Sequence, residues 1–138
     1  MTGAAKVGRV LLALSALASI QIGLWAALAP RSFYDDFPGG GRSWVSADGP
    51  YNEHLVRDFG DLNLALAVVL GVAAWTVVPL VVRTAAVAYA VYGLPHLVYH
   101  LRHLDVYDTG DKVANVVSLV LALALAVVGA ALLESRRA

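Results

Sequence analysis

The chain has no cysteine, a single methionine and little charge: of its 138 residues only 14% are Asp, Glu, Lys or Arg, split evenly between ten acids and ten bases. The missing cysteines exclude disulfides, thiolate nucleophiles, cysteine-ligated iron–sulfur clusters and CxxC redox chemistry. Any redox work is left to histidine, carboxylate or a bound cofactor. The low charge excludes an ordinary soluble globule, whose charged share is nearer ~25%. With a formal net charge of zero and no basic stripe, nothing would hold a phosphate backbone, so nucleic acid is not an expected partner. No nucleophile elbow or catalytic triad pattern is visible, and the Gly39–Gly41 run lacks the Lys-Ser/Thr of a P-loop.

What is present is apolar and arranged in long runs. Hydrophobic residues make up 59% of the sequence and the mean hydropathy is +0.70. The expected fold class is all-α: an integral membrane, up-down-up-down four-helix bundle forming one domain, with helices at about 7–29, 51–78, 80–104 and 113–133 and a loop over 30–50. Val10–Ala29 has the basic start and Ala-Leu-Ala end of a signal peptide. Its apolar run is too long for one, however, and Pro30 would sit just beyond the cut, so a retained helix is expected. Ser15, Ser19, Gly23 and Ala27 form a small-residue stripe on that helix, and Ala114, Ser118, Ala122, Ala126 and Ala130 form another on the last. Pro50 suits the first turn of the second helix. The 30–50 segment, with three prolines and a triple glycine, reads as irregular and as a possible lid. Trp25, Trp44 and Trp75 read as interface anchors, and Gln21 as an interhelical hydrogen bond. The bilayer is therefore the first expected partner, with a helix-packing partner or a second copy of the chain as the next. Composition points to a bacterial inner membrane. Lys6, Arg9, Arg83, Arg136 and Arg137 close to helix ends favour both termini in the cytoplasm.

Two polar patches stand out, Tyr51–Asp61 and Tyr92–Asp105, which together hold all four histidines. His54, Asp58 and Asp61 are spaced i, i+4, i+7, as are His96, His100 and His103, so each trio shares one helix face. Antiparallel helices rising ~1.5 Å per residue would set His54 opposite His103, Asp58 opposite His100 and Asp61 opposite His96, at the outer rim of the bundle. Glu53 and Arg57 would pair on the neighbouring face, and Pro95 would kink the third helix. Imidazoles facing carboxylates are the donor set that Zn, Fe or Mn accepts, so His54, Asp58, Asp61, His96, His100 and His103 form a candidate transition-metal site, with room for metal-dependent chemistry at a water-accessible position. One alternative is a non-enzymatic subunit or scaffold whose His–Asp ladder only fixes helix register. Another is haem, with one of the three histidines of the third helix as axial ligand. Asp105, Asp108 and Asp111 read as an acidic solvated turn.

The four-helix layout, the short length and Arg57-Asp58-Phe59-Gly60 opening the second helix resemble the DoxX-like group of small bacterial membrane proteins. That resemblance implies a redox partner, some members being linked to quinone-coupled oxidoreduction, and transfers no functional residues.

Overall fold

The computed structural model describes residues 2–134; Arg136 and Arg137, read above as topology signals, lie outside the described residues. Four helices are long and apolar enough to cross a bilayer: α1 (Gly3–Leu28), α4 (Glu53–Thr76), α5 (Pro79–Arg102) and α6 (Thr109–Glu134). Each meets the ~20 apolar residues that a hydrocarbon layer of ~30 Å requires. They form the expected all-α membrane bundle, in which α1 packs on α4 and α6, and α5 closes the ring between those two.

The connections follow from local chemistry. Asn52 caps α4 by accepting from Leu55 N at 3.2 Å. The second long helix therefore starts at Glu53, and Pro50 lies outside it rather than in its first turn. Val77 ends α4 in the left-handed conformation (φ 54°), and Pro79 opens α5 two residues later. Proline at that position removes only an N–H that would have had no partner. Asp108 accepts from Asp111 N at 2.8 Å at the start of α6, so one acid of the expected solvated turn serves as a helix cap. The helix α5 runs on through Pro95.

Glycine sets the closest approaches. A Cβ on Gly23 would lie 2.9 Å from Gly60 O, and one on Gly60 would lie 2.6 Å from Ala27 N, so α1 and α4 touch backbone to backbone. Near the other end of α1, a Cβ on Gly8 would lie 2.6 Å from Gly129 O of α6. Ser15, Ser19, Gly23 and Ala27 are all buried, so the stripe is consumed inside the bundle and does not wait for a partner helix. Arg57 donates to Ala27 O and, at 2.9 Å, to Glu53 Oε1. The expected Glu53–Arg57 pair thus also ties α4 to the end of α1.

The 30–50 segment departs most from expectation. It is structured: α2 (Pro30–Asp36), a hairpin of β1 (Pro38–Gly39) and β2 (Arg42–Ser43), and α3 (Trp44–Asp48). Proline at the first position of α2 starts a helix rather than breaking one. The three consecutive glycines all have positive φ, at 99°, 66° and 79°, a turn that no side-chain-bearing residue would take without strain. What reads in sequence as irregular is a compact cap over one end of the bundle. Its core is aromatic: Phe33 packs on Phe37 with ring centroids 4.7 Å apart and on Phe59 of α4 at 5.7 Å.

Candidate functional site: a polar-studded aromatic chamber

Beneath the cap lies a cavity of about 280 Å³, lined by residues of the cap and of all four long helices. The cap contributes Phe33, Phe37 and Trp44; α4 contributes Phe59 and Asn63. On the far side, α5 supplies Tyr89, Tyr92, His96 and His100, and α6 supplies Asn115, Ser118 and Ala122. Several of the rings are close to parallel. Tyr92 and His96 stack at 5.4 Å with 20° between planes, and Phe59 sits 6.0 Å from His96 at 31°. These rings pack on one another and form a continuous aromatic wall of the chamber.

Polar side chains line the chamber as well as rings, among them Asn63, His100, Asn115 and Ser118. Among the described residues, three buried side-chain atoms have no hydrogen-bond partner: Trp44 Nε1, His100 Nδ1 and Asn115 Oδ1. All three residues line the chamber. Trp44 is 7% exposed and Asn115 3%. Leaving such an atom unpaired costs about 1–3 kcal/mol, and all three cases fall in side chains that line this one cavity. Other polar groups nearby are engaged. Asn63 Nδ2 donates to Phe59 O at 2.9 Å and lies 3.5 Å from the Tyr92 hydroxyl, and Ser118 Oγ donates to Asn115 O at 2.8 Å.

The cap is latched over the chamber by contacts to the α5–α6 end. Tyr107 donates to Trp44 O at 3.1 Å, Arg42 pairs with Asp111 at 2.9 Å, and the Tyr99 hydroxyl lies 3.5 Å from Asp48 Oδ1. Burial, with Asp48, Tyr99 and Asp111 close by, pushes the Tyr107 phenol up to about 12, so this latch keeps its proton throughout the neutral range.

The residues singled out from sequence separate into two groups. His96 and His100 reach the chamber, their rings 4.8 Å apart and nearly perpendicular. His54, Asp58 and Asp61 do not: all are exposed, and His54 Nε2 meets only Asp58 Oδ2, at 3.4 Å on its own helix. His103 ends α5, where its Nδ1–H donates to Tyr99 O at 2.7 Å and its ring stacks on Tyr99. Among the described residues no ion pair or hydrogen bond joins a histidine of α5 to an acid of α4, and no three His, Asp or Glu side chains come together as metal ligands. The three expected rungs are absent for a rotational reason. Gly60 must face α1, which turns Phe59 and Asn63 toward α5 and Asp58 and Asp61 outward.

Sequence reasoning missed Trp44, Asn63 and Asn115. A signal for the two asparagines was there, since each is the lone amide in a long apolar run, and a polar side chain at membrane depth marks an interior or functional position. Trp44 is a buried chamber wall instead of an interface anchor, whereas Trp75 is 79% exposed, as an interface anchor has to be. Gln21 is exposed and makes no interhelical bond.

Fold and site together define a small multi-pass membrane bundle with an internal, capped, aromatic chamber. The family model described as "Domain of unknown function (DUF4345)" matches residues 7–101, more than half of the chain, and the chain belongs to that family. The match takes in α1 to almost the end of α5, and with them the cap; the α6 wall with Asn115 lies beyond it. The DoxX-like resemblance drawn from the helix layout is not what this comparison returns. No curated protein and no solved structure matches the chain.

Proposed function

We propose that this is a multi-pass membrane protein that binds a small, flat, largely apolar molecule in the chamber beneath its cap. The observation that carries the reading is a capped cavity lined by aromatic rings together with the polar side chains of Asn63, His100 and Asn115. Ligand sites are mostly apolar with a few placed polar groups, and they occur between the helices of bundles. A cavity of about 280 Å³ falls just below the ~300–1,000 Å³ range of such sites, which favours a ring compound over a macrocycle such as haem. A transition metal draws less support, because only His96 and His100 of the six candidate ligands line the cavity. Lys6, Arg9 and Arg83 belong to the end of the bundle opposite the cap, which supports an inner-membrane orientation with cytoplasmic termini and the cap on the outer face.

The test is to purify the protein from membranes, extract it with organic solvent and identify retained small molecules by mass spectrometry. An Ala122→Phe variant, whose added ring fills the chamber, is carried in parallel. The expected result is a ring-bearing molecule released by the parent and lacking from the variant. Identical extracts from the two proteins would overturn the reading.

A further inference from the structure

We infer that the chain forms a two-fold dimer in the bilayer through the outward faces of α1 and α4, with Gln21 of each copy donating to Asp61 of the other. The dimer is independent of what occupies the chamber. It starts from two polar side chains that a monomer would leave in lipid. Gln21 and Asp61 are exposed, and among the described residues neither makes an ion pair or a hydrogen bond. At ~1.5 Å per residue along α4, Asp61 lies about 12 Å below the cap end and about 21 Å from Trp75. Trp75, with its ring outside the bundle, marks the opposite membrane interface. In a hydrocarbon layer of ~30 Å the carboxylate is then about 9 Å inside the lipid, where an acid without a partner is costly. Its own chain offers none, because Arg57, one turn nearer the cap, is spent on Glu53 and Ala27 O.

Gln21 supplies the missing donor, but only from another copy. Gly23 faces α4, and Gln21 stands about 160° round α1 from it, so the amide points away from Asp61 of its own chain. The Gly23–Gly60 crossing fixes the relative height of the two helices. It leaves Gln21 and Asp61 within about one turn, ~5 Å, of the same depth. A two-fold axis along the membrane normal preserves depth, so it carries each amide to the other copy's carboxylate and makes the face self-complementary. The chemistry matches, since an amide Nε2–H donates and a carboxylate accepts. Around the polar pair the face is apolar, with Leu17 and Leu24 exposed beside Gln21 and Val68 exposed below Asp61. Interhelical hydrogen bonds set in such surroundings join membrane helices.

The experiment labels the full chain through a cysteine at Ala4, exposed near the start of α1, in a sequence that otherwise has none. Energy transfer between donor- and acceptor-labelled protein in phosphatidylcholine vesicles, over a series of protein-to-lipid ratios, gives the dissociation constant of the dimer. Asp61→Leu and Gln21→Leu are each expected to raise it about tenfold or more, because two symmetry-related hydrogen bonds are lost. Asp61→Asn keeps an acceptor and is expected to stay within about threefold of the parent. Circular dichroism checks the folding of each variant. In separate proteins, a lone cysteine at Val68 is expected to cross-link two copies through a short bismaleimide, and one at Val91, exposed on α5, is not. Absence of energy transfer at every ratio, or a constant unmoved by either leucine substitution, would overturn the contact. Cross-linking through Val91 and not Val68 would move the interface to α5 and overturn it as well.

Discussion

Replacing Gly60 by alanine adds one methyl group to the α1–α4 crossing, where there is no room for it. The new Cβ would lie 2.6 Å from Ala27 N, 2.9 Å from Gly23 O and 3.1 Å from Ala26 C. All three are backbone atoms of α1, so no side chain can swing aside, and the first is about 0.8 Å short of the 3.4 Å at which ordinary contact begins. The helices must separate, and overpacking of this kind costs about 1–3 kcal/mol, toward the upper end where backbone is the obstacle. Alanine recovers up to about 1 kcal/mol as the better helix former. The net expectation is a loss of about 2 kcal/mol. Gly71 provides the control within the same helix, since a Cβ there meets nothing within 4 Å; Gly71→Ala should be neutral or stabilising by up to about 1 kcal/mol. Reversible unfolding in mixed detergent micelles, followed by circular dichroism, measures both. A Gly60→Ala protein as stable as Gly71→Ala would refute the backbone crossing, and with it the rotation of α4 that faces Phe59 into the chamber.

Other expectations concern the cap and the outer histidines. Tyr107→Phe removes the bond to Trp44 O and should loosen the cap by about 1 kcal/mol, read as faster proteolysis at the Gly39–Gly41 turn. That phenol is held above its ordinary value by burial, so the protonated latch is fully present below pH ~10 and is lost as pH rises through about 12; cleavage of the parent should be flat from pH 5 to 9 and climb only above ~10. Arg42→Ala breaks the ion pair with Asp111, whose side chains are 43% and 21% exposed, and should cost no more than about 1 kcal/mol, with the difference shrinking at high salt. His54→Ala and Asp58→Ala change exposed groups that touch only each other and should alter neither stability by more than about 0.5 kcal/mol nor the small molecules retained in the extraction assay.

The bundle was legible in the sequence because hydropathy over 20-residue windows is a strong, local signal; each long helix fell within a few residues of expectation. Rotation about a helix axis is a weaker signal. The spacing of His54, Asp58 and Asp61 correctly puts them on one face, but nothing in that spacing says which neighbour the face meets. Gly60 decides it, by demanding contact with Gly23 across the crossing. The cap was illegible for a different reason. Periodicity needs length, and α2 and α3 have 7 and 5 residues, too few for an apolar stripe to show. His96 and His100 were found from sequence because they carry conspicuous chemistry. Asn63 and Asn115 were overlooked although their setting in apolar runs, rather than their own chemistry, was the better guide.

The two glycine crossings have a mechanical consequence. They pin α1 to α4 at one end and to α6 at the other through backbone contact, which neither slides nor compresses. By contrast, α5 has only Val82, Ala85 and Tyr89 fully inside the bundle, and of these only Tyr89 lines the chamber. Three helices are thus joined by glycine contacts to backbone and α5 by none, since a Cβ on Gly93, its one glycine, would meet only side chains. That helix carries Tyr92, His96 and His100, so a molecule passing laterally from the lipid beside it would displace the same rings that afterwards close around it.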